Sequence, residues 1–214
     1  MIADATHYLA LAAAYCRGVL DEPALDDEAA IARGVAAGLR LHRFKRAMEL
    51  ARVRPVIGAL RGFGVTTLID LGSGRGAFVW PLLDALPDLA LTCVDLLPHR
   101  ARLFADVARG GAWQLAGTRA DITALPFADD AADAITALEV LEHLPGDGPE
   151  RAAHEAVRVA RTAVIVTVPS HEDTNPEHVQ RFDGARLDRI FRAAGARRCT
   201  FDHVLNHIVC VAVV

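Results

Sequence analysis

From residue 66 onward, short apolar runs of strand length alternate with longer segments whose apolar residues recur at helical spacing. This alternation predicts a mostly parallel sheet with helices on both faces, a doubly wound α/β fold. Near the C-terminus two strands are separated only by a polar turn, which predicts a closing hairpin. The predicted strands are 66–71, 89–95, 113–119, 133–138, 162–169, 198–202 and 208–213, and the predicted helices are 77–86, 100–109, 148–161 and 184–194.

The first 62 residues follow a helical pattern instead. Tyr8, Leu11 and Tyr15 fall at helical spacing, and the acidic run beginning at Asp26 is typical of a capped helix start. We therefore expect two parts, an N-terminal helical extension or cap at 1–62 and an α/β domain at 63–214.

Composition narrows the class of protein. The 214 residues are 52% hydrophobic and 23% charged, which suffices for the core of one α/β domain. The net charge of −4 offers no overall attraction for nucleic acid or an anionic membrane. The start of the chain has no basic segment, and no apolar run approaches the roughly 18 residues of a membrane span, so we expect neither a signal peptide nor a membrane partner. Four cysteines without paired spacing indicate reduced thiols and a cytoplasmic protein.

Three glycines end the first strand, at positions 72, 74 and 76. Glycines at this spacing let the backbone approach a ligand closely and present N–H groups at the start of a helix. Gly72, Gly74 and Ala77 also satisfy the dinucleotide fingerprint, so an NAD-linked oxidoreductase is one alternative. Asp70 argues against it, because its carboxylate would face a pyrophosphate with like charge, whereas it suits a ligand that carries an ammonium and a sulfonium.

The pattern Asp70-x-Gly72-x-Gly74-x-Gly76 resembles motif I of the class I S-adenosylmethionine-dependent methyltransferases. The resemblance covers about residues 64–214. It implies a Rossmann-like, doubly wound sheet of seven strands in the order 3-2-1-4-5-7-6, with strand 7 antiparallel. It also implies S-adenosylmethionine as cofactor, held by Asp70 and by the loop residues Gly72, Ser73, Gly74 and Gly76.

Two further acidic positions extend the cofactor site. Asp95 ends the second strand 23 residues after Gly72, close to the spacing at which doubly wound folds place an acid on ribose hydroxyls, and Leu96 follows where an adenine face would lie. Asp121 and Ile122 resemble the family's post-strand motif, in which the carboxylate accepts from the adenine amino group and the next backbone N–H meets a ring nitrogen. Either acid also suits a simpler role, as a helix or loop cap.

The fourth strand runs into Glu139-Val-Leu-Glu-His-Leu144, a segment common in the small-molecule branch of the family, including quinone-ring methyltransferases. Since ligands bind at the carboxyl ends of strands, we expect Glu139, His143 and the loop residue His178 to act as base or to orient the acceptor, and Glu139 to line the cofactor site. A purely structural role for each of the three stays open.

A metal-dependent alternative uses the same residues. Small-RNA 2′-O-methyltransferases carry a Glu-x-x-Glu-His segment with a distant histidine, and Glu139, Glu142, His143 and His178 are similar to that set. The same letters occur in metal-free small-molecule methyltransferases, and few aromatic residues accompany the basic run 40–54. We therefore expect no metal. His203 and His207 stand at a hairpin turn, a setting that argues against metal ligation.

The sequence thus predicts a methyltransferase that uses S-adenosylmethionine to modify an oxygen, nitrogen or carbon nucleophile of a small molecule. RNA is the alternative acceptor, and a non-catalytic S-adenosylmethionine-binding protein is a further alternative. We expect the N-terminal helices and the loop at 170–181 to cover the acceptor pocket, because the core alone would leave the methyl group open to water. The oligomeric state is not predicted.

Overall fold

The computed structural model describes residues 3–44, 50–171 and 175–214, and the side chains from residue 6 onward within them. Part of the basic run, 45–49, and part of the acceptor loop, 172–174, lie outside the described residues. The helices are α1 (Ala3–Leu20), α2 (Asp27–Ala36), α3 (Val53–Gly62), α4 (Val79–Ala85), α5 (Pro98–Arg109), α6 (Gly148–Val159) and α7 (Gly184–Ala193). The strands are β1 (Thr67–Leu71), β2 (Ala90–Asp95), β3 (Leu115–Arg119), β4 (Ala132–Leu138), β5 (Ala160–Pro169), β6 (Arg198–Val204) and β7 (His207–Val213).

All seven strands form one sheet in the order β3-β2-β1-β4-β5-β7-β6. The pairs among β1 to β5 are parallel, whereas β7 is antiparallel to both β5 and β6. The predicted order and the antiparallel seventh strand are confirmed. Strand order reverses between β1 and β4, and in open α/β sheets the crevice at such a reversal is where ligands bind.

The alternation of side chains along each strand supplies a core on both faces of the sheet. In β1, Leu68 packs into one cluster with Leu83 of α4 and Phe104 of α5. Its neighbour Ile69 points the other way, into a cluster with Phe191 of α7. Because successive strand residues face opposite sides, one continuous apolar run serves both helical layers.

The first helix is packed into this core. Phe44, just after the second helix, contacts Tyr15 of α1 and Trp80 of α4, with ring centroids 5.4 and 5.2 Å apart respectively. The helices α1 and α5 approach so closely that a Cβ added at Gly18 would lie 1.8 Å from the carbonyl oxygen of Asp106. These contacts make α1 a layer on α5. The division of the chain at residue 62 stays a prediction.

Local signals explain the starts of two helices. Asp26 caps α2 by accepting a hydrogen bond of 2.8 Å from the Ala29 N–H, and Pro81 falls within the first turn of α4, where no N–H is needed. The sixth helix ends at Val159 although its pattern extends to 161, because Ala160 pairs with Ala132 of β4 as the start of β5. No helix among the described residues is long and apolar enough to cross a membrane.

Candidate functional site

The glycine loop after β1 has its three glycines at positive φ, with values of 69°, 59° and 86°. The N–H groups of Gly72 and Ser73 both donate to the Val94 carbonyl oxygen, at 2.8 and 3.1 Å, which folds the loop over the end of β2. A Cβ at Gly72 would lie 2.5 Å from Val140, whereas a Cβ at Gly74 would meet only one atom within 4 Å. The loop is therefore crowded beneath Gly72 and open above Gly74, as a backbone cradle for a ligand must be.

Asp70 lies beneath this loop and is 2% exposed. Its Oδ1 accepts a hydrogen bond of 2.7 Å from the Thr136 hydroxyl on the neighbouring strand β4. Burial raises the pKa of Asp70 to about 6, against the hydrogen bond from Thr136, which lowers it. An ammonium group brought to this carboxylate would favour its ionised form.

Asp95 occupies the end of β2, directly beside the loop. Its two carboxylate oxygens accept from the N–H groups of Gly74 at 3.0 Å and Leu97 at 2.9 Å. Arg100 lies further away, with Nη1 3.6 Å from Oδ2. A carboxylate can accept about four hydrogen bonds, so Asp95 can also accept hydrogen bonds from the hydroxyl groups of a ribose.

Asp121 and Ile122 follow β3, on the other side of Asp95. The Asp121 carboxylate accepts from the N–H and hydroxyl of Thr123, at 2.9 and 2.8 Å, and these bonds hold its pKa below the usual range. Asp121 therefore does cap the loop, as the simpler interpretation expected. The side chain is nevertheless exposed, whereas Ile122 is buried.

These residues surround a cavity of about 470 Å³. Leu96, 59% exposed, and Leu97, 40% exposed, form an apolar wall of the kind that an adenine ring would cover. Arg100 contributes a buried Nε–H for which the described part of the chain provides no acceptor. The cavity is lined by Gly72, Asp95, Leu96, Leu97, Arg100, Asp121, Ile122, Glu139, Val140, His143, Leu144 and Glu177.

A smaller cavity of about 150 Å³ also includes Gly72 in its wall and is lined by Asp70 and the rest of the loop. The two cavities share Gly72, so an elongated ligand with an adenosine at one end and an amino acid at the other fits their arrangement. The fit of the residues to S-adenosylmethionine thus rests on the open glycine cradle, the apolar wall and the two carboxylates Asp70 and Asp95.

Glu139, at the end of β4, lines the 470 Å³ cavity and also contacts residues of β5 and β7. It adopts φ 58°, an unusual backbone conformation for a residue with a side chain. Its carboxylate accepts from the Thr167 hydroxyl at 2.8 Å and lies 3.1 Å from His207 Nε2. Arg52 Nε is 3.8 Å from the same carboxylate, and Arg52 Nη1 is 3.3 Å from His207 Nε2.

The sequence interpretation missed Arg52 and His207 as members of the site. A signal existed for His207: an antiparallel strand begins at the edge where its parallel neighbour ends, and His207 pairs with Pro169, the last residue of β5. For Arg52, one of many basic residues in the run 40–54, no such signal existed.

His143 lies in a 3₁₀ turn, Leu141–His143, that follows β4. Its Nδ1 is 3.0 Å from the carbonyl oxygen of Glu177. A carbonyl oxygen only accepts, so Nδ1 carries the hydrogen and Nε2 of the neutral ring is the basic nitrogen. The ring of His178 stands edge-on to His143, with centroids 4.8 Å apart.

Glu142, 1% exposed, joins the two histidines. One ligand atom from each of Glu142, His143 and His178 lies within 4.8 Å of the others. Glu139 instead contacts Thr167, His207 and Arg52. The structure therefore divides the four residues of the metal-dependent alternative into two groups. His178 also lines a third cavity, of about 250 Å³, together with Pro169, Ser170, His171, Gln180, Arg181 and Phe182.

Comparison with known proteins agrees with this geometry. Residues 69–167 match the family described as "Methyltransferase domain". The chain is similar in structure to a SAM-dependent methyltransferase from Aquifex aeolicus, with a TM-score of 0.62 and 19% identity over 78% of this chain and 90% of that one. No curated protein sequence matches.

Two other similar structures hold the cofactor or its product. Magnesium protoporphyrin IX methyltransferase from Synechocystis, with bound SAH, has a TM-score of 0.60 and 17% identity over 76% of this chain and 81% of that one. Human N-acetylserotonin methyltransferase in complex with SAM has a TM-score of 0.57 and 17% identity over 75% of this chain and 51% of that one.

Proposed function

Because this chain is a class I S-adenosylmethionine-dependent methyltransferase, we propose that it methylates an oxygen, nitrogen or carbon nucleophile of a small molecule. The observation that carries this proposal is the contact between His143 and His178. His143 lines the 470 Å³ cavity, His178 lines the 250 Å³ cavity, and their rings are 4.8 Å apart. The two histidines therefore stand where a methyl donor in one cavity would meet an acceptor in the other.

The 250 Å³ cavity suits a small acceptor because its wall at Gln180 is held in place by backbone hydrogen bonds. The N–H groups of Val179 and Gln180 donate to the Glu142 carbonyl oxygen at 2.9 and 3.2 Å. Phe182 supplies an apolar surface, and His171 and His178 supply polar contacts, the mixture typical of small-molecule pockets.

The cofactor supplies an electrophilic methyl group on a sulfonium. In our proposal Asp95 binds the ribose, Asp121 and Ile122 bind the adenine edge beside Leu96, and Asp70 with the loop 72–76 receives the amino-acid end. His143 accepts the acceptor's proton on Nε2, while Nδ1 keeps its hydrogen bond to Glu177. The imidazolium that results is stabilised by the nearby Glu142 carboxylate. Placement of the two reactants in contact carries much of the remaining acceleration.

Two alternative functions, an NAD-linked oxidoreductase and an RNA methyltransferase, have less support. The family match does not favour an NAD-linked oxidoreductase or an RNA acceptor, and the net charge of −4 gives RNA no overall attraction. All four cysteines are free thiols, in keeping with the proposed cytoplasmic location.

Radiolabelled S-adenosylmethionine tests the proposed acceptor class. The enzyme is incubated with a cell extract separated into metabolites below about 3 kDa, RNA and protein, and the label is followed in each fraction. We expect label in the metabolite fraction. Label confined to RNA would show that RNA is the acceptor. Label in no fraction, despite tight SAH binding, would support a non-catalytic protein.

Metal independence and the role of His143 are tested on the same activity. After exhaustive chelation we expect full activity, and His143→Ala should lose it while still binding SAH. The matched control is His154→Ala, since His154 lies on α6 with its side chain 67% exposed. Activity that disappears with chelator and returns with Mg²⁺, Mn²⁺ or Co²⁺ would refute the metal-free proposal and assign Glu142, His143 and His178 to a cation.

A further inference from the structure

The smaller cavity, beside the glycine loop, contains both signs of charge. Asp70 supplies a buried carboxylate, and Arg52, just before α3, supplies a guanidinium that is 17% exposed. The amino-acid end of S-adenosylmethionine is a zwitterion with one ammonium and one carboxylate. An ammonium near Asp70 leaves the carboxylate to a cation, and Arg52 and Arg75 are the two described cations that line this cavity.

Arg52 is the better placed of the two, because it is largely buried and its charge is poorly matched. Its closest approach to Glu139 is 3.8 Å, beyond hydrogen-bond distance. Glu139 itself has shorter contacts, with the Thr167 hydroxyl at 2.8 Å and His207 Nε2 at 3.1 Å. Arg75 is exposed to solvent, so water already solvates its charge.

The contacts of His207 are mutually incompatible while Arg52 stays where it is. Arg52 Nη1, 3.3 Å from His207 Nε2, is always a donor and requires Nε2 to accept. The Glu139 carboxylate, 3.1 Å from the same Nε2, only accepts and requires Nε2 to carry a hydrogen. One nitrogen cannot satisfy both neighbours, so either contact improves when the other is released.

We propose that Arg52 binds the carboxylate of the cofactor's methionine moiety, and that this exchange of partners leaves His207 to donate from Nε2 to Glu139. A guanidinium binds a carboxylate through two parallel hydrogen bonds, which neither Glu139 nor His207 provides at Arg52 in this structure. Arg52 thereby makes the N-terminal extension part of the cofactor site. Filling that site with its ligand sets the hydrogen bonding at the end of β4.

Binding calorimetry with two probes tests this assignment. The probes are SAH and its decarboxylated analogue, 5′-S-(3-aminopropyl)-5′-thioadenosine, which lacks only the carboxylate. We expect Arg52→Met to weaken SAH binding at least tenfold and to change binding of the analogue less than twofold. Arg61→Met is the matched control, because Arg61 lies at the other end of α3, outside the cavity, and donates to the Ala85 carbonyl oxygen. It should change neither affinity.

Several outcomes would overturn the assignment. An equal loss of affinity for both ligands in a folded Arg52→Met variant would indicate a structural role for Arg52. Unchanged affinity for both would remove Arg52 from the cofactor site. If instead Arg75→Met weakened binding of SAH but not of the analogue, Arg75 would be the residue that binds the carboxylate. Wild-type protein that binds neither probe would instead contradict cofactor binding itself. Nitrogen NMR of the His207 imidazole provides a second readout: SAH should raise the share of the Nε2–H form, and the analogue should not.

Discussion

Asp70 carries its charge at a position that water hardly reaches. Burial raises its pKa to about 6, so the side chain gains a proton in mildly acidic solution. Because this folded-state pKa lies above the ordinary value of an aspartate, the protonated form stabilises the fold, and the free energy of unfolding falls as the pH rises from about 4 through 6. Cofactor binding has the opposite preference, since an ammonium pairs with the ionised form.

We therefore predict that SAH affinity decreases about tenfold between pH 8 and pH 5, the factor expected if only the ionised form of a group with a pKa near 6 binds. Calorimetry across this range measures it. In Asp70→Asn the affinity should be lower and nearly independent of pH, whereas His143→Ala should keep the slope. An affinity of the wild type that does not change with pH would show that Asp70 does not pair with the ammonium.

At Asp95 we expect the carboxylate to bind ribose hydroxyls in addition to its bonds with the loop. Asp95→Ala should weaken SAH binding by roughly 1.5–3 kcal/mol, the range for hydrogen bonds to a charged group. Asp88→Ala, an exposed residue just before the same strand, is the control and should leave the affinity unchanged. Unchanged affinity in a folded Asp95→Ala protein would remove Asp95 from the site.

At the scale of elements, glycines decide how closely α1 packs on α5. A Cβ at Gly18 would lie 1.8 Å from the Asp106 carbonyl oxygen, and one at Gly110 would lie 1.7 Å from the Ala14 carbonyl oxygen. The obstructing atoms are backbone, so a whole helix has to shift to make room. The N-terminal extension is therefore held by its own close fit to the α/β core, in addition to any covering of the site.

Alanine substitutions at two helical glycines test this fit. Gly18→Ala should lower the free energy of unfolding by about 1–3 kcal/mol, as overpacking does. At Gly58, on α3, a Cβ would meet nothing within 4 Å, so Gly58→Ala should be neutral or stabilise by up to about 1 kcal/mol through helix propensity. Chemical denaturation measures both. Equal effects of the two substitutions would contradict close packing between α1 and α5.

For the whole molecule, cofactor binding links directly to stability. A ligand that binds only the folded protein stabilises it by about 2.7 kcal/mol at a hundred times its dissociation constant. For a chain of this size we expect SAH to raise the melting temperature by about 5–10 °C. NAD or NADP at the same concentration should not raise it, because Asp70 lies where a pyrophosphate would meet like charge. A rise with NAD and none with SAH would contradict the assignment of the cofactor.

The sequence alone determined the features that depend on neighbours along the chain. Alternating strand and helix periods predicted the layers, and the resemblance carried by Asp70 and the three glycines predicted the strand order that the sheet adopts. The motif that carries the resemblance is itself local, because a strand end, a glycine turn and the first residues of a helix follow one another within about ten positions. Even the error at the end of α6 was small, caused by pairing of Ala160 with a distant strand.

Only the tertiary structure decided which polar residues meet at the end of β4. The metal-dependent alternative grouped Glu139 with Glu142 and His143, whereas in the structure Glu139 has a positive φ and its carboxylate contacts Thr167 and His207. Arg52 and His207 are 155 positions apart and approach to 3.3 Å because β7 runs antiparallel and starts where β5 ends. Contacts of this kind have no signature in local periodicity, because they arise from the packing of the whole sheet against the segment before α3.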